Sequence, residues 1–545
     1  MKIHNPLSFV LAPLSVALIL TSCGGNIKSS QVLLTSEAGQ KCAEVAPVVF
    51  HKTVSPDAVV VDLQQKRQTI DGFGGSFTES SAFVLACLTS EQRQMVLQEL
   101  YGADGANFSV ARTQIGASDF SVEGHYSLAE TDGDTALLSF SLDRDKEGFS
   151  KDKYPQVNDE HYDLFHLLKD VQAIKASQAD PTLRLMASPW TAPAWMKDNK
   201  RYYQRDAEAW RGGALLPEYY SVFADYFVKY LQAWRAEGLE FWAVTPENEP
   251  MGNDGGWESM DVSPEVEAEL IGKYIGPALA ANGFENVQIF GFDQNTFEMG
   301  PYTAAVYGDA DANAYTAGMA VHWYGSTVSC FPEVLDSIHN LYPDKTVFHS
   351  EGCIDNLGCA PWDGVSDPVG FVESGWFGND SFWWNAEATD WGYSTPFWPE
   401  WHPAYAPVHR YAQYIIDGIN HWLTGFCDWN IVLDSIGGPN HVNNFAGAQV
   451  MVDYRNDIIY FTPYYYVLKQ FSRSMRPGDV VLAVSQPEME NLYVCAVEKA
   501  DGSYAVNILN KAAEPVAFNL QLGEYSASIK MPANSVQTVF VTLPR

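Results

Sequence analysis

One feature constrains this chain more than any other: an alternation of strand-like and helix-like segments that repeats eight times. Short apolar runs rich in β-branched or aromatic residues lie at 72–77, 108–115, 183–188, 241–245, 287–292, 319–323, 346–349 and 426–433. Segments of helical period separate most of them, among them 90–100, 164–176, 218–237, 263–282 and 408–423. Consecutive strand–helix units of this kind predict an α/β fold, a (β/α)8 TIM barrel, because parallel strands need a crossover helix between them. A barrel takes ~250 residues before insertions, so 545 residues leave room for more. Beyond Ser474 the period changes to two, with runs at 480–484, 491–497, 504–509, 515–522, 526–531 and 536–543 between Gly, Asn and Asp turns. These predict an attached all-β sandwich, which early strands at 58–63 and 68–70 would complete from the other chain end. The expected division is 45–70 for the early sandwich strands, 71–473 for the barrel and 474–545 for the rest of the sandwich.

The first residues read as an address. Lys2 precedes an apolar run from Leu7 to Leu20, shorter than the ~20 residues of a comfortable membrane span, and a signal peptide is expected over 1–22. Its ending, Leu20-Thr21-Ser22-Cys23, resembles a bacterial lipobox. That resemblance implies an acylated Cys23, a lipid-anchored tether over 23–44, and export to a bacterial membrane, the outer one being expected. An ordinary secretory signal is the competing reading. The formal charge of −34 argues against a nucleic-acid partner, which needs Lys and Arg to neutralise phosphates. Seven cysteines remain beyond Cys23, an odd number that leaves at least one thiol unpaired. Their scatter predicts small buried hydrophobes rather than a disulfide framework. No His/Cys/Asp set has local ligand spacing, so neither a metal site nor a cofactor is expected.

Barrel strands carry their chemistry at their C-terminal ends. The fourth run ends in Thr245-Pro246-Glu247-Asn248-Glu249-Pro250, and the seventh ends in Ser350-Glu351-Gly352-Cys353. Two carboxylates facing each other across a barrel mouth are what glycosidic-bond hydrolysis requires: one protonates the leaving oxygen, and the other attacks the anomeric carbon or activates water there. A surface ion pair is the competing reading for either Glu alone.

The surrounding segments decide between these. Gln68-Thr69-Ile70-Asp71-Gly72-Phe73-Gly74-Gly75-Ser76-Phe77-Thr78-Glu79 resembles the opening strand motif of glycoside hydrolase family 30, the glucosylceramidase-like family. So do Arg112 with Ser118-Asp119-Phe120-Ser121, Ser188-Pro189-Trp190-Thr191-Ala192-Pro193, His322-Trp323-Tyr324, Asp428-Trp429-Asn430 and Gly437-Gly438-Pro439-Asn440, in the family's order. The resemblance implies a retaining β-glycosidase acting on β-linked glucosides, with Glu249 as acid/base and Glu351 as nucleophile. It also implies substrate contacts from Arg112, Asp119, Trp190, Asn248, Tyr324 and Trp429, with His322 supporting the carboxylates from behind. Glu247 and Glu79 are candidates for the pocket rim or the layer beneath it. The alternatives are a β-1,6-glucanase and, in a different class, a non-catalytic glycan-binding lipoprotein. Expected partners are a β-linked glucoside, oligosaccharide or glycolipid, with membrane contact only through the anchor.

One segment departs from the glucosylceramide-cleaving members. A long connection, 354–406, follows Glu351 and holds Trp362, Trp376, Trp383, Trp384, Trp391, Trp398 and Trp401. Aromatic platforms over the barrel mouth suit further sugar subsites, and Trp383 and Trp384 are the candidates. A dimer interface or a satellite hydrophobic cluster is the competing reading.

Overall fold

The computed structural model describes residues 26–203, 212–253, 256–354, 375–386 and 402–544. Cys23 and most of the 354–406 connection lie outside the described residues.

Eight parallel strands close a barrel in sequence order: β1 (Gly72–Phe77), β2 (Val110–Gln114), β3 (Arg184–Ser188), β4 (Ala243–Val244), β5 (Gln288–Asn295), β6 (Thr316–His322), β7 (Thr346–Glu351) and β8 (Leu423–Asp428). The strands read as near-continuous apolar runs because both faces are covered, by helices outside and by packed side chains inside. The inner plug is Val110, Met186, Ala243, Phe290, Ala320, Phe348 and Cys427, with Trp242 and Ala317 against it. β1 begins Gly-Phe-Gly-Gly for a steric reason. A Cβ at Gly74 would lie 1.8 Å from the Val110 carbonyl oxygen, so β1 and β2 close only around a glycine.

The second unit is a sandwich built on a continuous eleven-stranded sheet. Its early strands are Asn26–Lys28, Gln31–Ser36, Ala43–Glu44, Val49–His51 and Val59–Thr69. Six later strands run from Val480–Ser485 to Ser535–Val541. Val59–Thr69 pairs antiparallel with Val480–Ser485 on one side and parallel with Val516–Leu522 on the other. Val32, Phe50, Val59, Leu520 and Val539 share the core between the layers.

Three expectations are corrected. The tether over 23–44 does not extend to Glu44, because 26–44 enters the sheet. Val32-Leu33-Leu34 is apolar and pairs with Gln537–Val539, a partner some five hundred residues away that no local window shows. The separate strands at 58–63 and 68–70 are one strand, with register shifts against its partner instead of a break. The eighth run, 426–433, is divided. β8 stops at Asp428, Asn430 takes a left-handed φ of 64°, and Val432–Asp434 joins a separate small sheet. Asn accepts that conformation more readily than most residues, and the turn leaves Trp429 at the mouth of the barrel.

Candidate active site

The side chains at the C-terminal ends of the strands converge on Arg112, which projects from β2 and is fully buried. One of its terminal nitrogens donates to Glu351 Oε2 at 2.5 Å. The other donates to Asn248 Oδ1 at 2.6 Å and to Asp293 Oδ2 at 2.8 Å. Glu351 Oε1 accepts from the Tyr324 hydroxyl at 3.1 Å. Both oxygens of the β7 carboxylate are therefore held, one by a cation and one by a phenol.

His322, at the end of β6, joins the two candidate glutamates. Its Nδ1 lies 3.3 Å from Glu249 Oε1 and 3.9 Å from Glu351 Oε1, and its Nε2 lies 3.0 Å from Asp293 Oδ1. Donor atoms of Glu249, His322 and Glu351 all fall within 4.8 Å of one another. Glu249 has a positive φ of 51°, an unusual backbone state for a non-glycine residue, and its N–H is tied to the Asp293 carbonyl at 3.0 Å. Of the two glutamates it is the more exposed, at 19% of its side chain against 7% for Glu351.

Burial and charge act against each other here. Burial alone would lower the pKa of His322, but the Glu351 charge and the hydrogen bonds to Asp293 and Glu249 lift it to about 9. Burial would raise Asp293, yet Arg112, His322 and Ser350 hold it far below the usual carboxylate range. Glu351 is raised by burial, with His322 and Arg112 opposing. Arg112 and His322 are thus cationic while Asp293 is anionic. A protonated His322 has no lone pair for a metal, so the Glu249–His322–Glu351 trio is better arranged for proton traffic than for a cation.

Trp190 and Trp429 stack on each other, centroids 5.1 Å apart, and the Arg112 guanidinium lies 4.7 Å from the Trp190 ring. Asp119 is buried beside them and accepts from Asn444 Nδ2 at 2.8 Å; burial first, then the Glu351 charge, raises its pKa well above the usual range. All eight residues expected around the bond-breaking site from sequence, and His322 behind them, occupy this one place.

Glu79 is buried and accepts from the backbone N–H groups of Val122 and Glu123, so it fixes the loop that carries Asp119. Glu247 is also buried, and burial pushes its carboxyl well up, with Lys197 opposing. Trp383 and Trp384 do not form open platforms, a correction to the subsite expectation. They are 0% and 5% exposed. Trp383 stacks on Trp376 at 5.7 Å and donates its indole N–H to the Trp376 carbonyl. Trp376 and Trp383 pack against each other, Trp383 packs against Tyr464, and all of them, with Trp384, belong to the main core.

Sequence reasoning missed Asp293. Its carboxylate accepts from Arg112, His322, Ser188, Thr245 and Ser350. The available signal is its position: the fifth apolar run ends at Phe292, which makes Asp293 the next strand-end residue. Phe292 and Asp293 both have positive φ, 73° and 67°, and Glu267 accepts the Phe292 N–H at 2.7 Å from beneath.

The chain matches the TIM-barrel domain of glycosyl hydrolase family 30 over residues 70–367 and 396–475, and that family's β-sandwich domain over 480–539. It is 29% identical to the mouse lysosomal acid glucosylceramidase over 479 residues, 87% of this chain and 81% of the relative. It is 28% identical to the Aspergillus fumigatus endo-1,6-β-D-glucanase neg1 over 426 residues, 76% of this chain and 72% of that one. SrfJ from Salmonella typhimurium has a similar fold, with a TM-score of 0.77 at 24% identity over 95% of this chain and 100% of its own. A solved endo-β1,6-glucanase gives 0.72 at 26% identity, over 94% and 99%. With both domains matched and paired strand-end glutamates at the barrel mouth, the chain belongs to glycosyl hydrolase family 30 and is an O-glycosyl hydrolase.

Proposed function

We propose that the protein hydrolyses β-linked glucosides with retention of configuration, Glu351 acting as nucleophile and Glu249 as general acid and then base. The observation that carries this reading is their separation. Their nearest oxygens lie within 4.8 Å, in line with the ~5–5.5 Å of retaining pairs and short of the ~6.5–9.5 Å that an inverting water needs. Arg112 and Tyr324 orient the Glu351 carboxylate for attack on the anomeric carbon. Asp293 and Glu351 balance Arg112 and His322, so the buried set is electroneutral before Glu249 is counted. Glu249, nearer solvent, delivers a proton to the leaving oxygen and later takes one from water. Once Glu351 is esterified, one negative charge beside Glu249 is gone, which favours its turn as base. Asn248 has its carbonyl oxygen committed to Arg112, which leaves its NH2 for the sugar 2-hydroxyl, a bond that strengthens at the transition state. Trp190 and Trp429, stacked on each other and nearly fully buried, wall the apolar side of the sugar pocket, and Asp119 hydrogen-bonds the sugar hydroxyls.

The residues named so far contact the glucosyl unit and leave the aglycone open to a glycolipid or a glucan. Relatives named for each activity resemble the chain about equally, which supports both readings. Side-by-side digestion of glucosylceramide, gentio-oligosaccharides and β-1,6-glucan separates them. Failure to release aglycone from any aryl β-glucoside, from acidic to mildly alkaline pH, refutes hydrolysis of β-glucosides altogether.

We also infer export with a lipid anchor on Cys23, supported by Leu20-Thr21-Ser22-Cys23 directly after an apolar run. Cys23→Ser is expected to release the enzyme from membranes with unchanged specific activity. Membrane association of the mutant after signal cleavage would contradict the anchor.

A further inference from the structure

A second cluster of metal-type donors stands beside the sugar pocket and has no part in the chemistry above. His125 follows β2, Glu258 follows β4 and His441 follows β8. One donor atom from each lies within 4.8 Å of the other two. Glu258 is fully buried, and its Oε1 lies 2.7 Å from His125 Nδ1. Among the described residues its other oxygen, Oε2, has no hydrogen-bond partner, and neither has the buried Nε2 of His441. These two atoms lie 3.6 Å apart, too far for a hydrogen bond.

The tautomer of His441 explains what Nε2 offers. Its Nδ1 lies 2.8 Å from the Ser121 carbonyl, which can only accept, so Nδ1 carries the proton and Nε2 presents a lone pair. A ring N–H donated to a backbone carbonyl is also the usual way a metal-bound histidine is oriented. The Glu258 Oε2 and His441 Nε2 atoms thus face each other as two acceptors that no described side-chain or backbone group satisfies. A tetrahedral ion with bonds of ~2.1 Å needs donors about 3.4 Å apart, close to their separation. His125 supplies a third donor through Nδ1 once its proton resides on Nε2. Two imidazoles and one carboxylate suit zinc-class ions and not calcium or magnesium, which prefer all-oxygen sites.

We propose that His125, Glu258 and His441 bind one divalent transition-metal ion of the zinc class, tying together the loops after β2, β4 and β8 at the edge of the sugar pocket. The edge is close: His441 grips Ser121, two residues from Asp119, and Asn444 of the same loop bonds the Asp119 carboxylate. Local sequence spacing gave no sign of such a site because its donors come from three loops far apart in the chain.

The test is calorimetric titration of the full-length, EDTA-treated protein with Zn²⁺, repeated with Co²⁺ to read the visible bands of a low-coordinate site. One saturable equivalent is expected, with the strong Co²⁺ absorption of four-coordination. His125→Asn and His441→Asn should each weaken Zn²⁺ binding by at least about 10–100-fold, the scale of lesser, outer-shell losses, whereas Glu351→Gln should bind as the parent does. His125 is partly exposed, so His125→Asn is a readable variant even if a change at buried Glu258 or His441 disturbs folding. Absence of saturable binding by the parent overturns the proposal, as does binding that survives His125→Asn. Loss of binding in Glu351→Gln but not in His125→Asn would place the ion on the Glu249–His322–Glu351 trio and equally overturn it.

Discussion

Asp293→Asn removes one negative charge from the centre of the site while keeping the shape of the side chain. The carboxylate is fully buried and serves two groups of donors. Oδ1 accepts from His322 at 3.0 Å and Ser350 at 2.5 Å, and Oδ2 accepts from Arg112 at 2.8 Å, Ser188 at 2.9 Å and Thr245 at 2.8 Å. An amide accepts on one side only, so its NH2 must face one of these groups. The smaller conflict is on the Oδ1 side, where Ser350 can rotate its hydroxyl and His322 can give up its proton. Breaking a buried pair in this way costs about 3–5 kcal/mol. Part of that cost depends on pH. His322 is raised from 6.5 to about 9, with the Glu351 charge contributing first among the raising causes and Asp293 next. The share lost with Asp293 is therefore roughly 1–2 kcal/mol of the linkage energy. A raised histidine stabilises the fold fully below its unfolded pKa and ceases to do so as pH rises through the folded one. Asp293 is itself held far below its ordinary value of 3.8, so its contribution fades as pH falls below that value. The gap between parent and mutant should therefore be widest between pH 3.8 and 6.5 and narrow as pH rises through about 9. Above that only the Arg112 share persists. Urea unfolding followed by tryptophan fluorescence is the assay, because every Trp lies between residues 190 and 429 and so reports on the barrel alone. A gap that does not change with pH, or a total below about 1 kcal/mol, the net worth of one ordinary hydrogen bond, would refute the reasoning.

Three further substitutions probe other parts of the molecule. Asn248→Ala should cut kcat/KM for aryl β-glucosides by about 10–100-fold, the worth of a hydrogen bond in a charged site, and should cost much less for 2-deoxyglucosides; equal losses would remove the 2-hydroxyl contact. Trp383→Ala should destabilise the fold by about 3–5 kcal/mol through the cavity it leaves and affect short and long substrates alike, checked by melting temperature and paired kinetics. A selective loss on oligosaccharides would restore the subsite reading. Gly74→Ala should abolish soluble expression or sharply lower the melting temperature, since its Cβ would collide with the Val110 carbonyl; an unaffected protein would mean β1 and β2 can separate.

Much of this was legible in the sequence because the signals were local. The run 72–77 coincides with β1, and the helix expected over 164–176 is Leu164–Ala176. Glu249 and Glu351 were legible as carboxylates in the short polar segments that end the fourth and seventh apolar runs. The features that were missed depend on distant partners or on backbone states with no sequence code. Gln31–Ser36 takes its full-length pairing from Ser535–Val541, far along the chain, and only a short one from Ala43–Glu44. Asp293 follows Phe292 with both residues at positive φ, where side chains of ordinary residues give no hint. The indoles of Trp383 and Trp384 read as surface platforms because a sequence shows aromatic density but not that Trp376 and Tyr464 bury it.

The assignment of Glu351 as nucleophile and Glu249 as acid/base is tested most directly by trapping. A 2-deoxy-2-fluoro-β-glucoside with an activated leaving group slows hydrolysis of the glycosyl-enzyme, so the intermediate accumulates and can be located by mass spectrometry of the digested protein. The expected result is a single fluoroglucosyl adduct on the peptide containing Glu351, with the first sugar product from an ordinary substrate formed in the β configuration. An adduct on Glu249, or no adduct together with an α-configured first product, would contradict the double displacement assigned to this pair.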